Sequence, residues 1–297
     1  MDYWSSYWKA AHASAVTDQQ WGATLAECLV ELTVDIPQGG KALDLATGNG
    51  QLVRYLSHRD QQWVATDLAD ISAIDGVVTL RQVPLQNQPF SDAQFSLVCS
   101  MFGLEYGPWP SSLNEAWRVL CHGGSLVLIV HHENSVITQQ AKKDLIDVEY
   151  FLSSGVVDCV ENLIMEMGKV DTDAKFAALD NNPNARKLKQ HLDGLLSRLR
   201  EQVSGGFFDF QLKGVMLVLN EMMGDEVKAK LSRWQTGVGE LKCYGERLKH
   251  QIASAKDEQT LSSGINGLLT CEDEFTLREV RTKDNQMLAW VIKLRKS

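Results

Sequence analysis

Two carboxylates and a pair of glycines carry the most specific chemistry in this 297-residue sequence. The run Ala42-Leu43-Asp44-Leu45-Ala46-Thr47-Gly48-Asn49-Gly50-Gln51-Leu52-Val53 reads as an apolar strand, a tight turn and a helix start. Gly48 and Gly50 permit dihedrals that a Cβ resists and let the backbone approach a ligand closely. The free amides of the helix start then face that ligand. Asp44 lies within the end of the strand, ahead of the glycines. A dinucleotide site disfavours a fixed negative charge beside its pyrophosphate, whereas a nucleoside that carries positive charge gains from one. Asp67 follows Gly50 by 17 residues and ends the next apolar run, Trp63-Val64-Ala65-Thr66. From such a strand tip a carboxylate accepts hydrogen bonds from ribose hydroxyls. Leu68, next in sequence, can pack on the base.

Positioning these groups requires a sheet whose strand ends share one edge. After a helical segment over 1–35, short apolar strands are expected at Ala42–Ala46, Trp63–Thr66, Val77–Leu80, Phe95–Ser100 and Ser125–His131. Helices are expected at Gln51–Ser57 and Ser112–Leu120. Near-continuous apolar strands alternating with helices indicate a parallel sheet covered on both faces. Right-handed crossovers bring the strand C-termini to one rim, where ligands of such sheets bind. From about Gln139 to Ala255 the period is helical, with helices expected at Gln139–Leu152, Val156–Met167, Ala185–Val203, Phe208–Met222 and Asp225–Ala255. Phe275–Arg281 and Met287–Leu294 flank a hairpin turn at Thr282-Lys283-Asp284-Asn285. The expected fold is therefore α/β: a Rossmann-like seven-stranded, mostly parallel sheet with a C-terminal antiparallel hairpin and a large helical insertion before it. The expected division is 1–135 for the N-terminal helix and ligand-binding core, 136–256 for the insertion, and 257–297 for C-terminal strands that complete the sheet.

LDLATGNG, the later ATD, QPFSDAQFSLVCS and EAWRVLCHGGSLVLIVHH resemble class I S-adenosylmethionine-dependent methyltransferases. The likeness covers about residues 40–132, and the group it is closest to includes the ubiquinone/menaquinone-biosynthesis enzymes, where an Ala can precede the Gly-x-Gly turn as Ala46 does. It implies S-adenosylmethionine contacts from Asp44, Ala46, Thr47, Gly48, Gly50, Asp67 and Leu68. It also implies contacts from the turn at Pro84-Leu85 and from Ser100 and Met101 after the fourth strand. Many members carry an acidic residue where Pro84 stands, so the adenine contact is expected from backbone near Leu85, or from Gln82 or Gln86. A dinucleotide oxidoreductase would want G-x-G-x-x-G, but Leu52 and Val53 follow Gly50.

The reaction the resemblance implies is in-line methyl transfer to a small-molecule acceptor. His131, His132 and Glu105 are candidate bases for that acceptor, the histidines because imidazole titrates near neutrality. Strand alternation puts the two histidine rings on opposite faces, so at most one faces the ligand rim. Phe102 and Tyr106 either wall an acceptor pocket or pack a loop. Tyr7, with Tyr3, Trp4 and Trp8, forms an aromatic cluster that either makes a lid over the cofactor, since aromatic faces suit a sulfonium through cation–π attraction, or docks a helix on the core. Two other readings stay open: a cofactor-binding module without catalysis that docks partners through its helices, and an RNA or protein methyltransferase.

Charge narrows the partners. Residues 1–135 hold six Lys/Arg against 14 Asp/Glu, a net of −8 within a chain total of −9. An acidic ligand-binding half repels phosphate backbones, which disfavours bulk nucleic-acid binding. The six cysteines show no CxxC pairing, so neither a disulfide framework nor a metal site is expected. The N-terminus lacks a basic-then-apolar leader, and no apolar stretch reaches the ~18 residues of a membrane span; a cytoplasmic protein is expected. The helical insertion, rich in Leu and Met, reads as a substrate cover or as a homodimer surface.

Overall fold

A computed structural model describes residues 3–9 and 18–297. Residues 1–2 and 10–17, parts of the helical segment expected over 1–35, lie outside the described residues. What is described of that segment is α1 (Tyr3–Lys9) and α2 (Gln19–Thr33). Leu25, Leu29 and Leu32 recur at helical spacing on α2 and are buried, as that spacing requires.

Seven strands form one sheet: β1 (Lys41–Leu45), β2 (Gln62–Asp67), β3 (Val78–Arg81), β4 (Phe95–Met101), β5 (Leu120–Val130), β6 (Glu274–Arg281) and β7 (Met287–Arg295). Their order is β3-β2-β1-β4-β5-β7-β6. β1 pairs in parallel with β2 (Leu43 opposite Val64) and with β4 (Leu43 opposite Val98). β7 runs antiparallel to β5 and to β6, completing the expected hairpin. The chain leaves β1 toward β2 and β3, then returns to β4 and β5 on the other side. That reversal opens a crevice at the C-terminal ends of β1 and β4.

Alternation along the strands builds two apolar layers. Leu43 and Leu45 pack on one face with Val98, Leu126, Leu128 and Ile292, under α4 (Trp109–Val119) and α11 (Glu258–Asn266). Ala42, Leu97, Val127, Ile129 and Val291 pack on the other, with α2 and α3 (Gln51–Tyr55). Full burial of each such aliphatic side chain contributes about 1.5–3 kcal/mol. Asp44 falls on the Ala42 face by the same alternation, a carboxylate inside an apolar layer.

The chain divides into two compact units, one of residues up to Ala141 with His250–Ser297, the other Lys142–Lys249. These borders fall inside the 136 and 256 read from sequence. Val136 and Ile137 pack on the sheet's core, and the Lys256 amide donates to the His131 carbonyl at 2.8 Å. The second unit holds its own core, in which Val160, Leu163, Leu195, Leu199 and Trp234 meet. It includes α6 (Val156–Met167), α7 (Asp173–Asp180), α8 (Pro183–Gln202) and α9 (Gly205–Met216), and a π-helical turn at Leu217–Glu221. The rest comes from α5 (Val136–Ser153) and α10 (Val227–Ser254), which begin or end in the first unit. Lys230 is fully buried, its ammonium donating to the carbonyls of Gly168 and Met223.

Two helices correct the sequence reading. α11 lies in the 257–297 segment expected to hold strands only. It is capped by Asp257, which accepts the Thr260 amide at 2.6 Å, and buries just Leu261 and Ile265. α7 buries no residue, so it leaves no apolar stripe to read. Among the described residues no helix is long and apolar enough to cross a membrane.

Candidate active site

The glycine turn is fixed by backbone conformation and by Asp67. Ala46, Gly48 and Gly50 have φ of 53°, 54° and 77°, which only glycine adopts freely. The Thr47 amide donates to the Thr66 carbonyl at 3.1 Å, tying the turn to the end of β2. Asp67 closes the arrangement. One carboxylate oxygen accepts the Gly48 amide and the other the Ala69 amide, each at 2.8 Å. Burial raises its carboxyl above the ordinary range, opposed by those amides.

Asp44 is buried below the turn and accepts the Thr47 hydroxyl at 2.6 Å. Burial pushes its carboxyl up to about 7; the Thr47 bond opposes this and the neighbouring Asp67 adds to it. A buried acid in this state lacks a counter-charge. A ligand bearing an ammonium or sulfonium supplies one, whereas a phosphate would aggravate the deficit. The residues present therefore fit S-adenosylmethionine.

Across the crevice, β4 ends in a second constrained turn. Ser100 donates its hydroxyl to the Leu45 carbonyl at 2.8 Å and accepts the Leu104 amide at 3.0 Å. A Cβ on Gly103 would stand 2.6 Å from the Ala46 Cβ, so the two turns meet where glycine alone fits. Ser100 is thus committed to holding the turns together. Met101 and Thr47 reach a small recess beside Asp44.

A cavity of about 290 Å³ lies at this rim. Asp67, Leu68, Pro84, Leu85 and Gln86 line it, with Leu68 65% exposed and available to a flat ring. Gln86 is on the wall, and Gln82 is not among its lining residues. Phe102, Tyr106, Trp4, Trp8 and His250 also line the cavity. The structure thus gathers Ala46, Asp67, Leu68, Leu85, Phe102 and Tyr106 around one space. Tyr7 is not among the residues lining it; its ring stands edge-on to Trp4 and Trp8.

None of the three candidate bases is among the lining residues. His132 stacks on Trp290 at 4.6 Å and accepts the Asn134 amide through Nδ1, on the opposite side of β5 from His131. His131 lies behind the wall, stacked on Phe102 at 4.2 Å, its Nε2 3.2 Å from the Tyr106 hydroxyl. Burial pushes its imidazole down to about 3, so it is neutral. Glu105 is buried, accepts the His131 amide at 2.9 Å, and is raised by burial to about 7. Glu105 Oε2 and His131 Nδ1 are buried without a hydrogen-bond partner among the described residues.

Sequence reading missed His250 and Ser5. His250 lies in the last two turns of α10, a long amphipathic helix in which a lone histidine carries no signal. Its Nδ1 lies 3.0 Å from the Tyr3 hydroxyl and its ring stands edge-on to Tyr106 at 4.9 Å.

Residues 43–128 match the methyltransferase domain family. No curated protein matches the chain. Solved structures it resembles include a chain in the complex of the Haloferax volcanii Trm112 methyltransferase activator with a candidate methyltransferase (20% identity, 48% of this chain and 66% of that one, TM-score 0.41). Another is an S-adenosylmethionine-dependent methyltransferase from Thermotoga maritima (21%, 42% and 59%, TM-score 0.35). A third is a candidate enzyme of that kind from Methanococcus maripaludis (12%, 94% and 88%, TM-score 0.42). The chain spans 66% and 59% of the first two. These likenesses are weak, and the domain match over 43–128 is the firmer finding. The matched residues include Asp44, the Gly48 turn, Asp67 and β4, and the cofactor this match indicates is S-adenosylmethionine.

Proposed function

We propose that this protein transfers a methyl group from S-adenosylmethionine to a small-molecule acceptor held in the cavity at the β1/β4 rim. The observation that carries the reading is the tie between Asp67 and the Gly48 amide beside a walled cavity that Asp67 and Ala46 line, with Asp44 lining the adjoining recess. When bound, the cofactor supplies an electrophilic methyl on a sulfonium. Asp44 would face the amino end, Asp67 the ribose, and Leu68 with Leu85 the base. Gly50, Ala46, Thr47, Ser100 and Met101 shape the backbone around it.

The wall at Phe102, Tyr106, Trp4 and His250 would hold the acceptor in line and exclude water. Alignment of this kind can supply roughly 7–11 kcal/mol of a barrier. Glu105, His131 and His132 do not touch the cavity, which supports alignment over proton abstraction as their contribution. His131 instead holds the Tyr106 hydroxyl. The sequence likeness over 40–132 favours the ubiquinone/menaquinone-like group as the finer assignment. Exposed Met165, Phe176 and Phe210 on the helical unit support a homodimer through that unit.

Calorimetry with S-adenosylmethionine and S-adenosylhomocysteine tests the cofactor. Absence of binding at about 1 mM, equivalent to only about −4 kcal/mol, would sink the assignment. Release of S-adenosylhomocysteine on adding a cell metabolite fraction tests the acceptor class. Release only with the macromolecular fraction would overturn it.

A further inference from the structure

The Gly48 α-carbon, where a ligand backbone contact is expected, is already covered. A Cβ there would stand 2.5 Å from Cζ2 of the Trp8 indole and 2.8 Å from two more of its ring atoms. Beside that indole, the recess lined by Trp8, Asp44, Thr47 and Asn49 measures about 30 Å³. Such a space admits about one water, not an amino-acid moiety. The remaining cavity of about 290 Å³ falls at the bottom of the range for a small-molecule pocket, yet two ligands must meet there.

Five further contacts hold α1 in this position. The Asp70 amide donates to the Ser5 hydroxyl at 2.8 Å, and the Lys9 ammonium pairs with the Asp70 carboxylate at 2.8 Å. The Asn49 side-chain amide donates to the Trp8 carbonyl at 3.3 Å. Tyr3 meets His250 at 3.0 Å, and the Trp4 ring stands edge-on to Tyr106 at 5.4 Å. The segment is therefore latched at both ends, with its largest side chain over the turn. The exposed Lys9–Asp70 pair is worth little alone, and none of these contacts belongs to the strand ladders, so opening does not require unfolding of the sheet.

We propose that α1 is a retractable plug: the Trp8 indole occupies the amino-acid end of the cofactor site, and cofactor binds only after α1 withdraws. The proposal rests on the reading of the Gly48 turn as the cofactor site. A closed majority lowers apparent affinity by the fraction that is open. The plug then sets both the affinity and the rate of cofactor entry.

The test uses the full chain, S-adenosylhomocysteine as probe, and the variants Trp8→Ala and Lys9→Ala. Affinity is measured by calorimetry and association by stopped-flow fluorescence. Trp8→Ala is expected to bind about three- to tenfold tighter, and Lys9→Ala to shift the same way by less. The wild-type observed rate is expected to level off with ligand concentration, because opening limits it. Weaker binding by Trp8→Ala would make the indole a contact of the bound ligand and overturn the plug. Unchanged affinity in both variants would also overturn it, while leaving the cofactor assignment intact. Failure of wild type and both variants to bind would remove the cofactor assignment itself, and the plug with it.

Discussion

The Asp67 carboxylate accepts the Gly48 amide at 2.8 Å, so the second strand's carboxylate holds the first strand's glycine turn in shape. Its other oxygen does the same for the Ala69 amide. Asp67 therefore has a structural duty besides any ribose contact through its remaining lone pairs.

Asp67→Ala is expected to lose cofactor affinity by tenfold or more and also to lower the melting temperature. Two buried amides would lose a charged acceptor, at about 1–3 kcal/mol each. Calorimetry and thermal melts of the same sample separate the two effects. Wild-type affinity in the variant would contradict the ribose role.

Gly103→Ala should destabilise the fold by about 1–3 kcal/mol, the usual range for overpacking. Its φ of −140° is open to any residue, so the cost comes from the clash with Ala46 and Ser100, not from backbone strain. Urea titration reads the difference. An unchanged midpoint would mean that the two turns can separate freely.

Cofactor affinity should rise with pH toward about 7 and level off above it. Asp44, ordinarily near 3.8, is held up to about 7 in the ligand-free protein, mainly by burial. Raised in this way, it favours the folded state when protonated; that stability is present below about 3.8 and lost as the pH rises through about 7. A cationic ligand favours the ionised form, so binding expels the proton and strengthens with pH by up to about one log unit per unit. Isotherms across this range check the slope. Asp44→Asn should flatten it, and an equal slope in that variant would exclude Asp44 as its source.

His250→Ala is expected to lower kcat/KM while changing S-adenosylhomocysteine affinity by no more than about threefold, and only upward, because the ring lines the cavity beside Tyr106 and also holds Tyr3 of α1. Steady-state rates with a converted acceptor, set beside calorimetry, give both quantities. A loss confined to cofactor affinity would place His250 on the cofactor instead.

Tyr106→Phe removes the group 3.2 Å from His131 Nε2 and leaves a buried imidazole with no partner on either nitrogen. A stability loss of about 1–3 kcal/mol is expected, with KM affected more than kcat if the phenol only positions the acceptor. A kcat collapse at unchanged KM would point instead to chemistry at the hydroxyl.

Local pattern determined much of this protein. Apolar runs bounded by turn residues gave β1 to β5 and the β6–β7 hairpin, because buried parallel strands need continuous apolar side chains. Asp44, Gly48, Gly50 and Asp67 were legible together because the strand–turn–helix geometry fixes their places within a few residues. Helices without an apolar stripe, α7 above all, left no such trace. The orientation of Glu105, His131 and His132, the arrival of His250 from far along the chain, and Trp8 resting on Gly48 were decided only by tertiary packing. Each depends on contacts between residues distant in sequence, where shape and burial select the neighbour and residue type alone does not.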